Sequence, residues 1–285
     1  MSLEEVRIKI DAVDQQLLRL LSERAELVHE VGEIKRKDGL EIYAPEREEK
    51  LLRKLAAQNT EMSGRLPEKS IRAIFREIMS AALALEMPLK IAYVGPTGSW
   101  THQVALRKFG HSLTYLSENG ADGVFDRVAS GAADYGVLPI EHSTEGAVHH
   151  TLDHLVDSPL QICAQILWRT DARGEGASAR FIILGRRGSR PTGEDRTMLM
   201  VHARDQVGAL LAVLTVFAQR GIDVRQIENR PVGGDPILGE ARFFLEINGH
   251  SEDEKIQAAV AALSAEGSVV KVLGSYPAAA WVEER

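Results

Sequence analysis

The sequence contains a single cysteine, Cys163, and its longest apolar stretch, near residues 210–218, is short. One cysteine excludes an internal disulfide and is typical of a reducing compartment. The apolar stretch cannot span a bilayer, and the acidic, amphipathic N-terminus lacks the pattern of a signal peptide. Excess positive charge is also missing, because the net charge of −7 argues against a nucleic-acid or anionic-membrane partner. We therefore expect a cytoplasmic protein that uses its basic residues on a small anion.

The length and composition indicate a multidomain globular protein. With 285 residues, of which 44% are hydrophobic, the chain has room for two or three domains with their own cores. The hydrophobic pattern changes near residue 88, and a polar segment interrupts it again near residue 186. We place the domains at residues 1–88, 89–185 and 197–285, with a linker at 186–196.

Apolar residues three and four positions apart predict one long amphipathic helix over residues 2–37. Arg24 and Lys35 are eleven residues apart, so they lie within about 20° of one helix face, whereas Arg7 points about 100° away from it. Two more helices are predicted, one from Pro45 and one at about residues 67–87. Their charged residues of interest are Arg47, Glu48 and Glu86. Taken singly, such charges usually belong to a solvated helix face.

Taken together, these residues and their surroundings resemble the all-helical chorismate mutase family. The resemblance covers about residues 1–90 and rests on V-R-x-K-I-D-x-V-D, L-L-x-E-R-A-E-L-V-x-E-V-G-E-I-K and P-E-R-E at 45–48. It implies an all-α, three-helix domain that forms an intertwined dimer and rearranges chorismate to prephenate without a cofactor. Arg24 and Arg47 would bind the substrate carboxylates with Arg7 of a partner subunit. Lys35 would face the ether oxygen, and Glu48 would bind the hydroxyl.

Three positions depart from that family or vary within it. Ala44 and Ala82 stand where relatives often have Asp and Ser, so we expect weaker binding rather than lost chemistry. Glu86 stands where many relatives have Gln. A carboxyl at this position must be protonated to donate a hydrogen bond to the ether oxygen. The alternative is that Glu86 is a surface acid at a helix end.

The middle of the chain alternates predicted strands with predicted helices, which indicates a parallel sheet. Two motifs follow strand ends, G-P-T-G-S-W-T-H at 95–102 and P-I-E-H-S-T-E-G-A-V at 139–148. In open α/β sheets ligands bind at that edge. As bare patterns, such motifs are more often ordinary strand-to-helix turns than ligand sites.

These motifs resemble the prephenate dehydratase domain, a periplasmic-binding-like fold with two lobes around the substrate. The resemblance covers about residues 89–169 and resumes at 180–185, and a run of ten residues at 170–179 stands where a second lobe is normally inserted. We therefore predict a single α/β lobe. Ala179 replaces the family's catalytic threonine and His142 replaces its asparagine, so we expect dehydratase activity to be lost. The residues of the vestigial site would be Thr101, His102, Glu141, His142, Ser143, Thr144, Ala179, Arg180 and Phe181.

The pattern β-α-β-β-α-β over residues 197–276 predicts a ferredoxin-like α+β module. D-Q-V-G-A-L at 205–210, I-E-N-R-P at 227–231 and V-K-V-L-G-S-Y-P at 270–277 resemble the ACT domain, an amino-acid sensor. The resemblance implies a phenylalanine site between two subunits, although Asn229 and Asp223 depart from the family's Ser and Asn. Its residues would be Gly208, Ala209, Leu210, Asp223, Glu228, Asn229 and Arg230. The alternative is a dimerisation module without a ligand.

The favoured interpretation is a homodimeric or larger chorismate mutase of phenylalanine biosynthesis, inhibited by phenylalanine, with a degenerate dehydratase lobe. Its ligands would be chorismate and prephenate, and we expect neither metal nor cofactor. A first alternative is a bifunctional enzyme that rebuilds the dehydratase site across the dimer with His142, Ser143 and Thr144. A second is a non-catalytic sensor that regulates a partner enzyme. The charged residues matched to one dianion argue against the sensor.

Overall fold

The computed structural model describes residues 2–38, 43–144, 146–169, 176–204, 206–231, 240–279 and 281–283. They form a helical region, an α/β region and a region built on an antiparallel sheet, as predicted. Most of the short run predicted to replace a lobe, residues 170–175, lies outside the described residues. None of the helices in the described part of the chain is long and apolar enough to cross a membrane.

The helical region consists of α1 (Leu3–Lys37), α2 (Pro45–Glu61) and α3 (Glu68–Glu86). Helix α1 begins with a capping box, in which Ser2 and Glu5 satisfy each other's backbone N–H groups. Its last turn is basic, which complements the negative end of the helix dipole. Pro45 is the first residue of α2. The first N–H groups of a helix have no intrahelical partner, so the N–H that proline lacks costs no hydrogen bond there.

Helix α1 is amphipathic, but its apolar stripe is uncovered within one chain. The only buried residue of α1 is Gly32. The exposed apolar residues of α1 are Leu3, Val6, Ile8, Ile10, Val13, Leu17, Leu18, Leu20, Leu21, Leu27 and Ile34. A stripe of this size is normally buried against another element, but no described part of the chain covers it.

The α/β region is built on one mixed sheet with the strand order β11-β5-β6-β3-β1-β2. Its elements are β1 (Lys90–Val94), α4 (Trp100–Phe109), β2 (Thr114–Glu118), α5 (Ala121–Ala129), β3 (Tyr135–His142), β4 (Gly146–Ala147), α6 (His149–Asp157), β5 (Gln161–Arg169), β6 (Ser178–Gly185) and β11 (Trp281–Glu283). Strand β4 pairs with β3, and β11, from the end of the chain, pairs with β5.

The sheet is parallel only in part, so the expectation of a parallel sheet needs correction. Strand β1 pairs in parallel with β2 and β3, but β6 is antiparallel to both β3 and β5. A parallel pair needs a crossover of about a dozen residues or more. The connection from β5 to β6 is shorter than that, so the chain turns back and β6 enters the sheet in the opposite direction.

The C-terminal region has the predicted β-α-β-β-α-β order, and its sheet order is β10-β7-β9-β8. Its elements are β7 (Asp195–Arg204), α7 (Ala209–Ala218), β8 (Val224–Pro231), β9 (Glu240–Asn248), α8 (Glu254–Ala265) and β10 (Val269–Pro277). One face of this sheet packs on α7 and α8 through residues such as Leu199 and Phe217. The other face packs on the α/β region, where Met200 and Tyr276 share a core with Leu155 of α6.

Candidate functional site

Four of the six predicted mutase residues lie close enough in the helical region to influence one another electrostatically. Partial burial lowers the pKa of the Arg24 guanidinium, nearby Arg47 lowers it further, and Glu86 opposes both. Lys35 in turn acts on Glu86. Helix α1 therefore supplies two cations, α2 a third and α3 a carboxyl, and we call this set the mutase cluster: Arg24, Lys35, Arg47 and Glu86.

Glu86 is held against α1 at a position where α1 has no side chain. A Cβ at Gly32 would lie only 3.0 Å from Cγ of Glu86, so a larger residue would displace this side chain. Glu86 Oε2 is buried without a hydrogen-bond partner. Burial raises the pKa of Glu86, and the positive charges of Lys35, Arg36, His29 and Arg47 oppose the rise. Burial therefore favours the protonated carboxyl relative to an ordinary glutamate, and a protonated carboxyl can donate a hydrogen bond.

The charges that act on Arg24 and Glu86 do not include the other two predicted mutase residues. Arg7 is 62% exposed near the start of α1 and lies 3.8 Å from Glu4. Glu48 is only 9% exposed, and its Oε1 accepts a hydrogen bond of 2.9 Å from Nζ of Lys108 on α4. The sequence patterns predicted neither Lys108 nor Gly32, although a glycine within an otherwise regular helix is a visible signal of close packing.

The predicted dehydratase residues at the β3–β6 pair divide between two faces of the sheet. Glu141 pairs with Arg180 and His142 pairs with Ala179, and successive side chains of a strand point to opposite faces. Arg180 Nη1 lies 3.1 Å from Glu141, and its Nη2 lies 3.0 Å from Glu246 of β9. Arg180 and Glu141 therefore face the C-terminal region, whereas His142 lies opposite the position where the family has its threonine.

The remaining residues of this set hold turns or fill the core. The ring of His102 stacks on Tyr93 with 4.7 Å between centroids, and its Nδ1 accepts a hydrogen bond of 3.0 Å from Gly98 N–H. Ser143 Oγ accepts a hydrogen bond from the backbone of Ser178 at 2.9 Å. Thr101 and Phe181 are buried, and Thr144 lies in the turn after β3. The nine residues therefore occupy turns, the core and both faces of the β3–β6 pair, and among them Glu141 and Arg180 line a common pocket.

Glu246 is a functional candidate that the sequence patterns missed. This carboxylate is 2% exposed between the C-terminal sheet and the α/β sheet. Its Oε1 accepts hydrogen bonds from Gln165 at 3.1 Å and from Tyr276 at 2.9 Å. Its Oε2 lies 3.0 Å from Arg180 and 3.5 Å from Arg196. Within the run F-F-L-E-I it is a lone acid in an apolar strand, which predicts a buried charge but not its partners.

The predicted effector residues also divide between two faces, in this case of β8. Glu228 and Arg230 face helix α6, where Arg230 Nε lies 3.3 Å from Asp153 and its Nη1 lies 2.7 Å from His149 Nδ1. Asn229 is exposed on the opposite face of β8. The other members of the set lie at the exposed end of α7 or in the turn before β8: Gly208, Ala209, Leu210 and Asp223. Gly208 has φ of 87°, which favours glycine.

Known families match all three regions. A family profile for chorismate mutase type II matches residues 6–87, one for prephenate dehydratase matches residues 91–172, and one for the ACT domain matches residues 197–265. The bifunctional chorismate mutase/prephenate dehydratase of Aquifex aeolicus is 32% identical over 357 aligned positions, covering 97% of this chain and 98% of the relative. The chain belongs to the bifunctional chorismate mutase/prephenate dehydratase family. The three resemblances in the sequence are thereby confirmed.

The alignment with the Aquifex aeolicus relative is longer than the chain itself. Because 97% of 285 residues is about 276, roughly 80 of the 357 aligned positions are occupied in the Aquifex aeolicus relative alone.

Solved dehydratase structures agree with the fold. Prephenate dehydratase from Streptococcus mutans is 32% identical, with a TM-score of 0.57 over 69% of this chain and all of that chain. Prephenate dehydratase from Arthrobacter aurescens, solved with L-Phe, is 22% identical, with a TM-score of 0.56 over 67% of this chain and 90% of that chain.

Proposed function

We propose that the protein converts chorismate to prephenate and prephenate to phenylpyruvate, and that phenylalanine regulates it. The observation that carries the proposal is the mutase cluster, in which three cations and a carboxyl from three helices lie together. Family membership supports both activities. It therefore favours our first alternative, the bifunctional enzyme, over the predicted loss of the dehydratase, and a purely sensory role has no comparable support.

The mutase step needs electrostatic help rather than a nucleophile, because chorismate rearranges within one molecule. Arg24 and Arg47 are suited to bind the two carboxylates, since a guanidinium offers a planar pair of donors and stays charged. Lys35 and protonated Glu86 are suited to stabilise the negative charge that develops on the breaking ether oxygen. Donors already in place for that charge lower the barrier without reorganisation in the transition state.

The mutase site would be completed by a second copy of the chain. The uncovered apolar stripe of α1 supports an intertwined dimer, and the exposed position of Arg7 supports its use in a partner's site. A complementation experiment tests this arrangement. Arg7→Ala and Arg24→Ala proteins, each inactive alone, should recover about a quarter of wild-type activity after co-refolding, because half of the dimers would then contain one intact site. No recovery would contradict a shared site.

For the dehydratase, we propose a single-lobe site whose open side a second copy of the chain covers. The roughly 80 aligned positions found in the relative alone support a missing lobe. His142 lies directly across from Ala179 in the β3–β6 ladder, and an imidazole is suited to protonate the departing hydroxyl near neutral pH. The hydroxyl would leave as water and the ring carboxylate as CO2, which makes the ring aromatic. Ala179→Thr should raise this activity in the wild-type background and restore it in His142→Ala.

For regulation, we propose that phenylalanine binds at the exposed edge of the C-terminal sheet and inhibits the mutase. The Arthrobacter aurescens dehydratase was solved with L-Phe, and exposed apolar residues at this edge, Val207, Leu211 and Ile227, are suited to contact an aromatic ring between two subunits. Calorimetry with phenylalanine, tyrosine and tryptophan tests the site. Heat from phenylalanine together with mutase inhibition is expected, and no heat from any of the three would contradict it.

One product assay tests both activities. The purified chain is incubated with chorismate, quenched at neutral pH, and its products are separated by chromatography. Phenylpyruvate above the no-enzyme control is expected. Prephenate alone would reject the dehydratase and leave the mutase. Unchanged chorismate would reject the mutase, and the dehydratase would then be tested with supplied prephenate.

A further inference from the structure

Three side chains with metal-binding atoms converge on the surface of the α/β region, away from the sites described above. Asp122 lies in the first turn of α5, and His150 and His154 are one turn apart on α6. Asp122 Oδ1 lies 3.2 Å from Nε2 of His150 and 2.6 Å from Nε2 of His154. Their three ligand atoms all lie within 4.8 Å of one another.

We propose that Asp122, His150 and His154 form a binding site for a divalent transition metal, of which zinc is the best match. Two imidazoles and a carboxylate are a frequent zinc ligand set, with bonds of about 2.0–2.2 Å and a fourth position open to water. Tetrahedral bonds of that length separate ligand atoms by about 3.3 Å. His150 Nε2 lies 3.2 Å from Asp122 Oδ1, close to this spacing, whereas His154 Nε2, at 2.6 Å, must move away from it to bind the same ion. This site departs from our expectation of no metal.

The three side chains need only small rearrangements to bind an ion. The rings of His150 and His154 are nearly parallel, with centroids 4.6 Å apart and planes 17° apart. One ring must rotate so that both Nε2 atoms point at a shared ion, and the final torsion of histidine is broad enough to permit it. Phe125 stacks on His154 at 5.2 Å, which favours His154 as the fixed ligand and His150 as the one that turns.

A metal ion at this site would also fix the helix that contacts the effector strand. Helix α6 carries His149 and Asp153, which bind Arg230 of β8. A bound ion would join α6 to α5, because Asp122 comes from α5. Ligands that bind only the folded chain raise its melting temperature, so zinc should stabilise the protein.

The test uses the full chain, stripped with a chelator and titrated with zinc at pH 7.5 in a calorimeter. One zinc per chain is expected, and His154→Ala or Asp122→Asn should weaken binding at least tenfold. His111→Ala is the matched control, because His111 pairs with Glu77 at 2.9 Å on the surface but has no third possible ligand among the described residues. Zinc binding that is as tight in His154→Ala as in wild type would overturn the proposal.

Cobalt gives a second, spectroscopic measurement that does not depend on activity. Tetrahedral cobalt bound by the wild-type chain should show visible d–d absorption, and His150→Ala should lose it while His111→Ala retains it. Circular dichroism of each variant shows whether the fold is intact. Absorption that survives in a folded His150→Ala protein would remove His150 from the ligand set.

A second observation concerns the buried ion pair between the helical and α/β regions, and its interpretation rests on the proposed mutase function. Glu48 of α2 pairs with Lys108 of α4 at 2.9 Å, and the side chains are 9% and 15% exposed. The Lys108 ammonium also lies 5.9 Å from the centre of the Tyr43 ring. Tyr43 Oη and Arg76 Nε are both buried without a hydrogen-bond partner.

We infer that Lys108 is a positioning residue of the mutase, contributed by the α/β region. Its ammonium binds Oε1 of Glu48, which leaves the second carboxylate oxygen for a substrate hydroxyl. A buried carboxylate without this partner would be costly to keep charged. The α/β region would therefore support mutase catalysis in addition to any chemistry of its own.

The experiment compares Lys108→Met and Lys108→Arg with Lys50→Met. Lys50 also connects α2 to a distant segment, through a hydrogen bond of 3.2 Å to the carbonyl of Pro191, but it contacts no predicted site residue. We expect Lys108→Met to raise KM for chorismate about tenfold. Lys108→Arg should keep KM close to the wild-type value, and Lys50→Met should leave KM unchanged. In a Glu48→Gln background, Lys108→Met should have little further effect.

The outcomes separate this inference from the proposed function. A folded wild-type chain without mutase activity would reject the function itself. An active wild type whose KM and kcat are unchanged in Lys108→Met would reject only the positioning role. Equal losses in Lys108→Met and Lys50→Met would also reject it, because they would indicate a general loosening between regions.

Discussion

In the helical region most of the predicted site residues lie together, although the core is incomplete. In the α/β region the opposite holds, because the core is complete and the predicted site residues are divided between two faces of the sheet. Helix α1 buries only Gly32, yet Arg24, Arg47 and Glu86 influence one another across three helices. The α/β sheet is buried on both faces, yet Glu141 and His142 point to opposite sides of it. Charged groups influence one another at a distance even where the apolar core is incomplete. A substrate pocket, in contrast, needs side chains that surround the ligand.

Of the substitutions that test this comparison, Arg24→Ala should have the largest effect, on mutase activity. Removing a fixed donor from a charge-stabilising site typically costs on the order of 100-fold or more in rate, so mutase kcat/KM should fall by about that factor. Dehydration of supplied prephenate should be unchanged, because we propose that site in the α/β region. Arg19→Ala, an exposed charge on the same helix, is the control. Wild-type mutase activity in Arg24→Ala would show that the cluster is not the site.

Glu246→Ala tests the contact between the C-terminal sheet and the α/β sheet. The change leaves Arg180 and Arg196 without their shared carboxylate in a buried place. Removing one partner of a buried pair costs about 3–5 kcal/mol, which denaturant unfolding should detect. Glu252→Ala, at an exposed position of the C-terminal region, should change stability by less than about 0.5 kcal/mol. Equal stability of the two variants would mean that Glu246 does not bind the regions together.

Glu86→Gln examines the protonation of the mutase cluster. Burial raises the pKa of Glu86, so the protonated form persists to higher pH than in an ordinary glutamate. Mutase activity should fall by about tenfold per pH unit above that pKa, as the donor is lost. Gln keeps its N–H donors at every pH, so the profile should become flat on the alkaline side. Identical profiles of wild type and Glu86→Gln would remove Glu86 from the mechanism.

Gly32→Ala should have the smallest effect of these substitutions. It should favour stability but lower mutase activity. Alanine stabilises a helix interior by about 0.5–1 kcal/mol relative to glycine. The new methyl group would, however, press on Glu86, whose Cγ lies 3.0 Å from that position. We expect equal or higher thermal stability together with a several-fold loss of mutase activity. A stable variant of full activity would show that Glu86 tolerates displacement.

The hydrophobic pattern predicted the helical region well because its helices are long and strongly periodic. The helix predicted over residues 2–37 is observed as Leu3–Lys37, and the helix predicted from Pro45 begins there. The direction of β6 was not predictable in the same way. Alternation of strands and helices indicates a parallel sheet, whereas the short connection before β6 reverses it.

The candidate sites were also predictable only where local geometry determines them. Residues on one helix, such as Arg24 and Lys35, have relative directions that helix geometry alone determines. Glu228 and Arg230 were predicted to contact an effector, but in the structure of one chain they contact α6. No periodicity within β8 indicates which helix packs against it.

The sequence by itself determined the three regions, most of their elements and the family, because these depend on local periodicity and on motifs read along the chain. Only the tertiary structure decided that Glu48 meets Lys108 and that Glu246 meets Gln165, pairs separated by 60 and 81 residues. The physical reason is that such contacts depend on how whole elements dock. Docking is set by the summed burial of many side chains, and no single motif in the sequence records it.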